Sequence, residues 1–244
     1  MKETIIENEL LALANAKIAE HSSRYFKTGE GEYGCGDRFL GLRMPVIRLL
    51  VKKHMNADLN TIIKLISHEY HEIRLFSLIS MVARFKKGNE ENRQEIYDLY
   101  LENTQYINNW DLVDCSAHYI VGQHLLNREF TNKELINKDN GILYELVMSP
   151  SLWQRRIAVL ATFQFIRNQK FEVPLQIYTA LLKDKEDLIH KAVGWMLREL
   201  GKRDKALEEQ FLKQHYQNMA RTMLRYSIEK FSKEEQQQYL KGTI

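Results

Sequence analysis

The sequence predicts an all-α chain folded as a curved α-solenoid of HEAT-like helical repeats, a single domain over residues 1–244, and three observations carry that prediction. Prolines occur only at 45, 150 and 174, and glycines concentrate between residues 29 and 41, so little else interrupts a helix. Apolar residues recur at helical spacing along nearly the whole chain, and nowhere is there the convincing period-two alternation of a half-buried strand. Aligning the segments 73–80, 113–120, 155–162, 190–197 and 224–231 also places Ser77, Ala117, Ala158, Gly194 and Ser227 at spacings of 40, 41, 36 and 33. That is the length of a helix pair with its turns, and a small side chain lets neighbouring helices approach closely. A non-repetitive helical bundle is the competing arrangement.

Taken in order, residues 3–26 give an amphipathic stretch with Ile6, Leu10, Leu13, Ala14 and Ile18 on one side. The run TGEGEYGCGDRFLG that follows cannot be a stable helix. Its Gly29, Gly31 and Gly34 spell GxGxxG, but no strand precedes them and Glu30 and Glu32 would repel a pyrophosphate, so the segment reads as a flexible loop. From Pro45, well placed in a first turn, a helix runs through IRLLVKKH, and another covers 59–67. Longer amphipathic segments fall at 71–86, 90–103, 111–126, 140–148, 151–168, 174–183, 187–200, 205–216, 218–231 and 233–241.

Composition narrows the functional classes. With 44% hydrophobic residues the chain can bury a sizeable core, and 35 basic against 32 acidic residues permit a nucleic-acid partner only if the cations cluster. Cys35 and Cys115 fit neither a secreted disulfide framework nor zinc spacing, so reduced thiols are expected. The opening MKETIIENEL carries glutamates where a signal peptide would be apolar, and no apolar run approaches the roughly 18 residues of a membrane span. The reading is a cytoplasmic protein with no membrane contact, no metal and no cofactor, and a monomer because solenoids carry capped ends.

The candidate site starts from NNWDLVDCSAHYIV, residues 108–121. A helix through it puts Trp110 and Asp114 one turn apart on one face, where an aspartate is rarely buried without a partner. His118, a turn beyond, reads as a plain neighbour on the helix face. Farther on, Trp153 and Arg156 share a face with Arg155 adjacent, and Lys191, Trp195 and Arg198 form a stripe of cation, aromatic, cation. Arg48, Lys52, Lys53 and Arg74 extend a basic rim at one end, Arg221 and Arg225 at the other. Such cations neutralise phosphates, and indole faces offer stacking or cation–π surface. The plainer reading is core packing for each tryptophan and a solvated or inter-repeat ion pair for each arginine. An acid among cations that face nucleic acid makes sense mainly if something positive must be bound beside it.

The residues WDLVD (110–114), WQRRIAVL (153–160) and KAVGWMLRE (191–199) resemble the AlkD-like DNA glycosylases, HEAT-like-repeat proteins of bacteria, and the helical layout is similar over essentially the whole chain. The resemblance implies excision of cationic N3- and N7-alkylated purines from double-stranded DNA without flipping the base into a pocket, in contrast to the usual arrangement. It implies that Trp110, Asp114 and Trp195 cradle the lesion and do the chemistry, and that Arg156 and Arg198 hold phosphates. Lys191, Trp153, Arg155 and Arg48 complete the expected DNA-binding set, with Tyr25 matching a tyrosine that family members carry on a short N-terminal helix. The acidic, glycine-rich segment 28–38 departs from the family there, and leaves Tyr25 and Tyr33 both as candidates for that contact. The alternative is a non-catalytic scaffold of the same fold that binds DNA or a protein.

Overall fold

The computed structural model describes residues 2–127 and 141–244, and the chain falls into two compact units, Met1–Ile120 and Val121–Ile244. Among the described residues there is no strand, only an isolated parallel bridge between Arg38 and Tyr70. The fold is all-helical and repeat-like, as the periodicity predicts.

In the first unit, α1 (Lys2–Ala12), α2 (Ala16–Tyr25), α3 (Met44–Lys53), α4 (Leu59–Lys64), α5 (His71–Lys87), α6 (Glu90–Glu102) and α7 (Trp110–Asp114) follow one another. The core helix is α5, which packs on α3, α4, α6 and α7. It buries Ile73, Leu75, Phe76, Leu78, Met81, Val82 and Phe85, which between them point in every direction around its axis. A helix apolar on all sides can only be an interior one. The stretch 3–26 is not one helix: Asn15 leaves the helical path and its side chain accepts from the Ile18 amide, capping α2. Ile6 and Leu10 are buried as expected, whereas Leu13 and Ala14 lie exposed in the break.

The expected helix over 111–126 is also interrupted. Cys115 and Ser116 form a turn, and the Ser116 hydroxyl donates to the Leu112 carbonyl at 2.5 Å, drawing off an acceptor that a continuing helix would use. A π-turn over His118–Gly122 follows. Such wide turns re-aim the side chains beyond them.

The second unit contains α8 (Gln123–Asn127), α9 (Ile142–Met148), α10 (Leu152–Arg167), α11 (Glu172–Ala180), α12 (Asp187–Gly201), α13 (Lys205–His215), α14 (Arg221–Ser227) and α15 (Lys233–Lys241). Residue 140, the expected start of α9, lies outside the described residues. Here α12 is central, packing on α10, α13 and α14. Gly194 explains how closely α14 approaches: a Cβ there would stand 2.5 Å from Cβ of Tyr226 and closer still to the Met223 carbonyl. Ser77, Ala117, Ala158 and Ser227, the other aligned small residues, are all fully buried. Small volume at these positions thus marks tight helix contact, as the repeat alignment predicts.

Candidate functional site

Within the first unit a cavity of about 690 Å³ opens between the C-terminal half of α3, the C-terminal half of α5 and the turn after α7. Val51, Met55, Ile79 and Val82 give it an apolar floor, and Arg48, Lys52, Lys86 and Lys87 stand around it. All of these cations are exposed. Arg48 and Lys52 share a face of α3, and Lys86 rests its ammonium 3.6 Å from the ring centre of Tyr119, itself part of the wall. Asp114 brings a carboxylate into this positive rim. Cys115 and His118 line the same cavity, because the turn at 115–116 swings them round. Burial, and then the nearby Asp111 and Asp114 carboxylates, push the Cys115 thiol well up, and it donates to the Leu112 carbonyl. It is therefore a protonated wall group and no nucleophile.

Trp110, at the other end of α7, stacks on Phe26 with ring centres 5.3 Å apart and meets Tyr25 edge-on at 5.9 Å. Tyr25 itself is 58% exposed, at the C-terminus of α2. The glycine-rich segment after it is fastened rather than flexible. Gly34 packs so tightly that a Cβ would strike the Phe26 carbonyl and come within 3.4 Å of the Asn109 amide nitrogen, just ahead of α7. Glu72 accepts from the backbone amides of Leu40, Gly41 and Leu42 at 2.8, 2.8 and 3.1 Å. Residues 22–42 thus fold against the start of α7 and α5.

A buried charge network completes that junction. His71 meets Asp37 of the loop through Nδ1 at 3.0 Å and Asp111 of α7 through Nε2 at 2.8 Å. Burial alone would lower the imidazole pKa, but the Asp111 carboxylate, with Asp37 adding to it, outweighs burial and lifts it from 6.5 to about 9. For Asp37 burial acts upward, and the His71 hydrogen bond and Arg74 charge prevail to lower it. Arg74 donates to Asp37 and, at 3.0 Å, to Asn108. Arg74 is thus an internal brace and not a member of the exposed rim, since its guanidinium is buried by the partners it neutralises. Lys53 turns away to pair with Glu9 at 2.8 Å. Lys86, Lys87, Phe26 and His71 are the site residues that sequence reasoning misses. For His71 a signal exists: HEIR puts charge on the first turn of a helix that is apolar on every side, and such charges require buried partners.

In the second unit the predicted cations are mostly engaged. Arg155 pairs with Asp184 at 2.6 Å and donates to the carbonyls of Ser149 and Pro150. Arg156 is only 5% exposed and donates to the Leu188 carbonyl at 2.6 Å. Lys191 pairs with Asp187 at 2.7 Å, Arg198 with Glu229, and Arg221 donates to the Leu240 carbonyl. Trp153 and Trp195 are half-buried, the latter hydrogen-bonded to Glu199. The sequence predicts an open row of arginines; the structure instead makes Arg155, Arg156, Arg198 and Arg221 braces between neighbouring segments and leaves Arg225 exposed. Among the described residues no group of three or more His, Cys, Asp or Glu side chains is arranged to hold a metal ion, and no helix is long and apolar enough to cross a membrane.

A family model described as "DNA alkylation repair enzyme" matches residues 6–231. No curated protein matches the chain. A solved structure titled "Predicted DNA alkylation repair enzyme from Enterococcus faecalis" is similar with a TM-score of 0.68 and 17% identity, covering 90% of this chain and 97% of that one. At that identity the likeness is one of fold.

Proposed function

The chain belongs to the DNA alkylation repair enzyme family, and from that premise we propose that it is an alkylpurine DNA glycosylase, hydrolysing the N-glycosidic bond of cationic N3- or N7-alkylated purines in duplex DNA without extruding the base. One observation carries this reading: a carboxylate, Asp114, stands in the wall of a cavity otherwise ringed by the exposed cations Arg48, Lys52, Lys86 and Lys87. Cations alone suit a polyanion. A carboxylate among them repels phosphate and is useful where positive charge develops.

The chemistry follows from the substrate. An alkylated purine is already a cationic leaving group, so no general acid is needed to release it, which accords with a site whose neighbouring thiol is inert. Breaking the bond builds oxocarbenium character on the deoxyribose. Asp114 stabilises that charge and orients a water toward the anomeric carbon, while the indole of Trp110, on the same short helix, adds cation–π surface. Arg48, Lys52, Lys86 and Lys87 neutralise backbone phosphates, and exposed Tyr25 contacts the duplex beside Trp110. Lys191 and Trp153 serve as further contacts. Arg155, Arg156 and Arg198 would first have to release their present partners.

Those engaged arginines favour a second reading, a DNA-binding member of the family that excises nothing. Release of N7-methylguanine from a methylated duplex distinguishes the two. The glycosylase reading expects base release by the natural protein and a loss of about 10²–10³-fold in Asp114→Asn, the scale of removing one preorganised electrostatic partner of a transition state, with duplex affinity retained. Equal rates for the two proteins, or no release together with equal affinity for methylated and unmethylated duplex, would overturn it.

A further inference from the structure

The chemistry of the Asp114 cavity leaves His71, a buried group of the first unit held between two carboxylates, without a task. Both of its nitrogens lie at hydrogen-bonding distance from carboxylate oxygens, 3.0 Å to Asp37 and 2.8 Å to Asp111. An ionised carboxylate only accepts, so both nitrogens must carry a proton and the ring is an imidazolium. The rings of Phe39 and Phe26 lie 4.6 and 5.1 Å from it, the latter tilted against its face, and Phe26 carries Trp110. Asp111 uses its second oxygen to accept the Leu112 amide, inside α7 itself. The second oxygen of Asp37 takes Arg74, which also holds Asn108 ahead of α7. Glu72, the remaining acid of that turn, is committed to the amides of residues 40–42. The imidazolium is therefore the clamp between the glycine-rich loop and the five-residue helix that ends in Asp114.

We propose that His71 is a positioning residue for the reaction at Asp114: doubly protonated, it fastens Asp111 to Asp37 and so fixes the placement of Trp110 and Asp114 on α7. The inference rests on the glycosylase reading. Its mechanism is a donor count. A neutral imidazole has one N–H and must present a lone pair to one of the two carboxylates, so losing a proton opens one side of the clamp. A short helix has little packing of its own to hold its register, and displacements of about 1 Å in a reacting group can cost on the order of 10²-fold in rate.

The test is single-turnover excision of N7-methylguanine from duplex DNA between pH 7 and 10, by the natural protein and by His71→Gln, which has no second donor in line. The ratio of the two rates cancels any titration of the substrate. It is expected near tenfold at pH 7 with duplex affinity unchanged within twofold, falling toward one as the pH passes about 9, where the imidazolium deprotonates. A ratio that stays flat overturns the proposal, as does a rate loss that merely tracks the unfolded fraction seen by circular dichroism. A second readout needs no activity. In a Trp153→Phe/Trp195→Phe protein, Trp110 is the remaining tryptophan, and its emission is expected to step with a midpoint near pH 9, with no step once His71→Gln is added. An emission that does not step overturns the proposal. Should the natural protein release no base at any pH, the glycosylase reading fails, and the Trp110 titration alone decides whether His71 holds α7.

Discussion

The two units are built from the same material, stacked helices with basic residues at regular helical spacing, yet they dispose of their cations in opposite ways. In the first, Arg48, Lys52, Lys86 and Lys87 remain exposed around a cavity and share it with Asp114. In the second, Arg155 is tied to Asp184, Arg156 to the Leu188 carbonyl and Arg198 to Glu229. Helical spacing identifies which residues share a face. It does not identify what the neighbouring helix offers to that face, and an arginine losing water beside a carbonyl or carboxylate becomes a structural tie. On the proposed function, the difference makes the cations around the first unit's cavity the first to test for phosphate contact.

The sharpest way to break that contrast is to remove each set. Replacing Arg48, Lys52, Lys86 and Lys87 together by alanine is expected to lower duplex affinity about 10³-fold at low salt and to flatten the salt dependence by about three to four units of log–log slope, near 0.9 for each phosphate that is no longer neutralised. These side chains are exposed, so the variant should keep its fold. Arg155→Ala, measured in the same titration, is expected to shift affinity less than threefold. A large loss from Arg155→Ala with a small one from the quadruple variant would reverse the assignment.

Stability should rank the same residues the other way round. The side chains of Arg155 and Asp184 are 14% and 6% exposed, and removing one partner of a buried pair leaves a charge with nothing to balance it. Arg155→Ala should therefore cost about 3–5 kcal/mol in urea unfolding. Lys87→Ala, on an exposed rim, should stay within about 0.5 kcal/mol.

What can be read from the sequence follows the range of the interactions involved. Helix periodicity and the small residues Ser77, Ala117, Ala158, Gly194 and Ser227 are local signals, and the structure buries all five where helices meet. The pairing of Trp110 with Asp114 on one short helix is legible for the same reason. The clamp is not: Asp37, His71 and Asp111 lie 34 and 40 residues apart, and nothing in the spacing of a glycine-rich loop says which buried charge it will meet. The break after Asp114 is hidden too, because Ser116 is compatible with a helix until its hydroxyl takes the Leu112 carbonyl.

Acidity offers a third comparison, in which the units respond at different pH. The folded pKa of His71 lies above its ordinary value, so its contribution to the first unit is complete below pH 6.5 and is lost as the pH rises through about 9. At about 1.4 kcal/mol per unit this amounts to roughly 3 kcal/mol. Asp37, held below 3.8, contributes above that value and loses its contribution as the pH falls through its lower folded value. In the second unit, burial raises Glu208 from 4.5 to about 8, against a partial opposing pull from Lys205. Its protonated form suits the fold, so its contribution is complete below pH 4.5 and declines up to about pH 8. Peptide-resolved hydrogen exchange should show protection of α13 falling between about pH 4.5 and 8, and protection of α5 and α7 falling later, between about pH 6.5 and 9. Glu208→Gln should remove the first decline and leave the second. Loss in both units over one and the same range, left unchanged by Glu208→Gln, would show that neither group governs its own surroundings.

The smallest expected effect is the most demanding of the contrast. Arg198 pairs with Glu229, whose side chain is 49% exposed, so solvent screens the pair and holding two long side chains in one geometry costs entropy. Arg198→Ala should change stability by less than about 1 kcal/mol and duplex affinity by less than twofold. The pair is nonetheless more open to solvent than that of Arg155 with Asp184, and therefore easier for a phosphate to displace. A tenfold loss of affinity in Arg198→Ala would mean that Glu229 yields its partner when DNA arrives. Glu229→Gln, by freeing the guanidinium beforehand, would then tighten binding, and the second unit would have to be regarded as a clamp held shut by its own carboxylates.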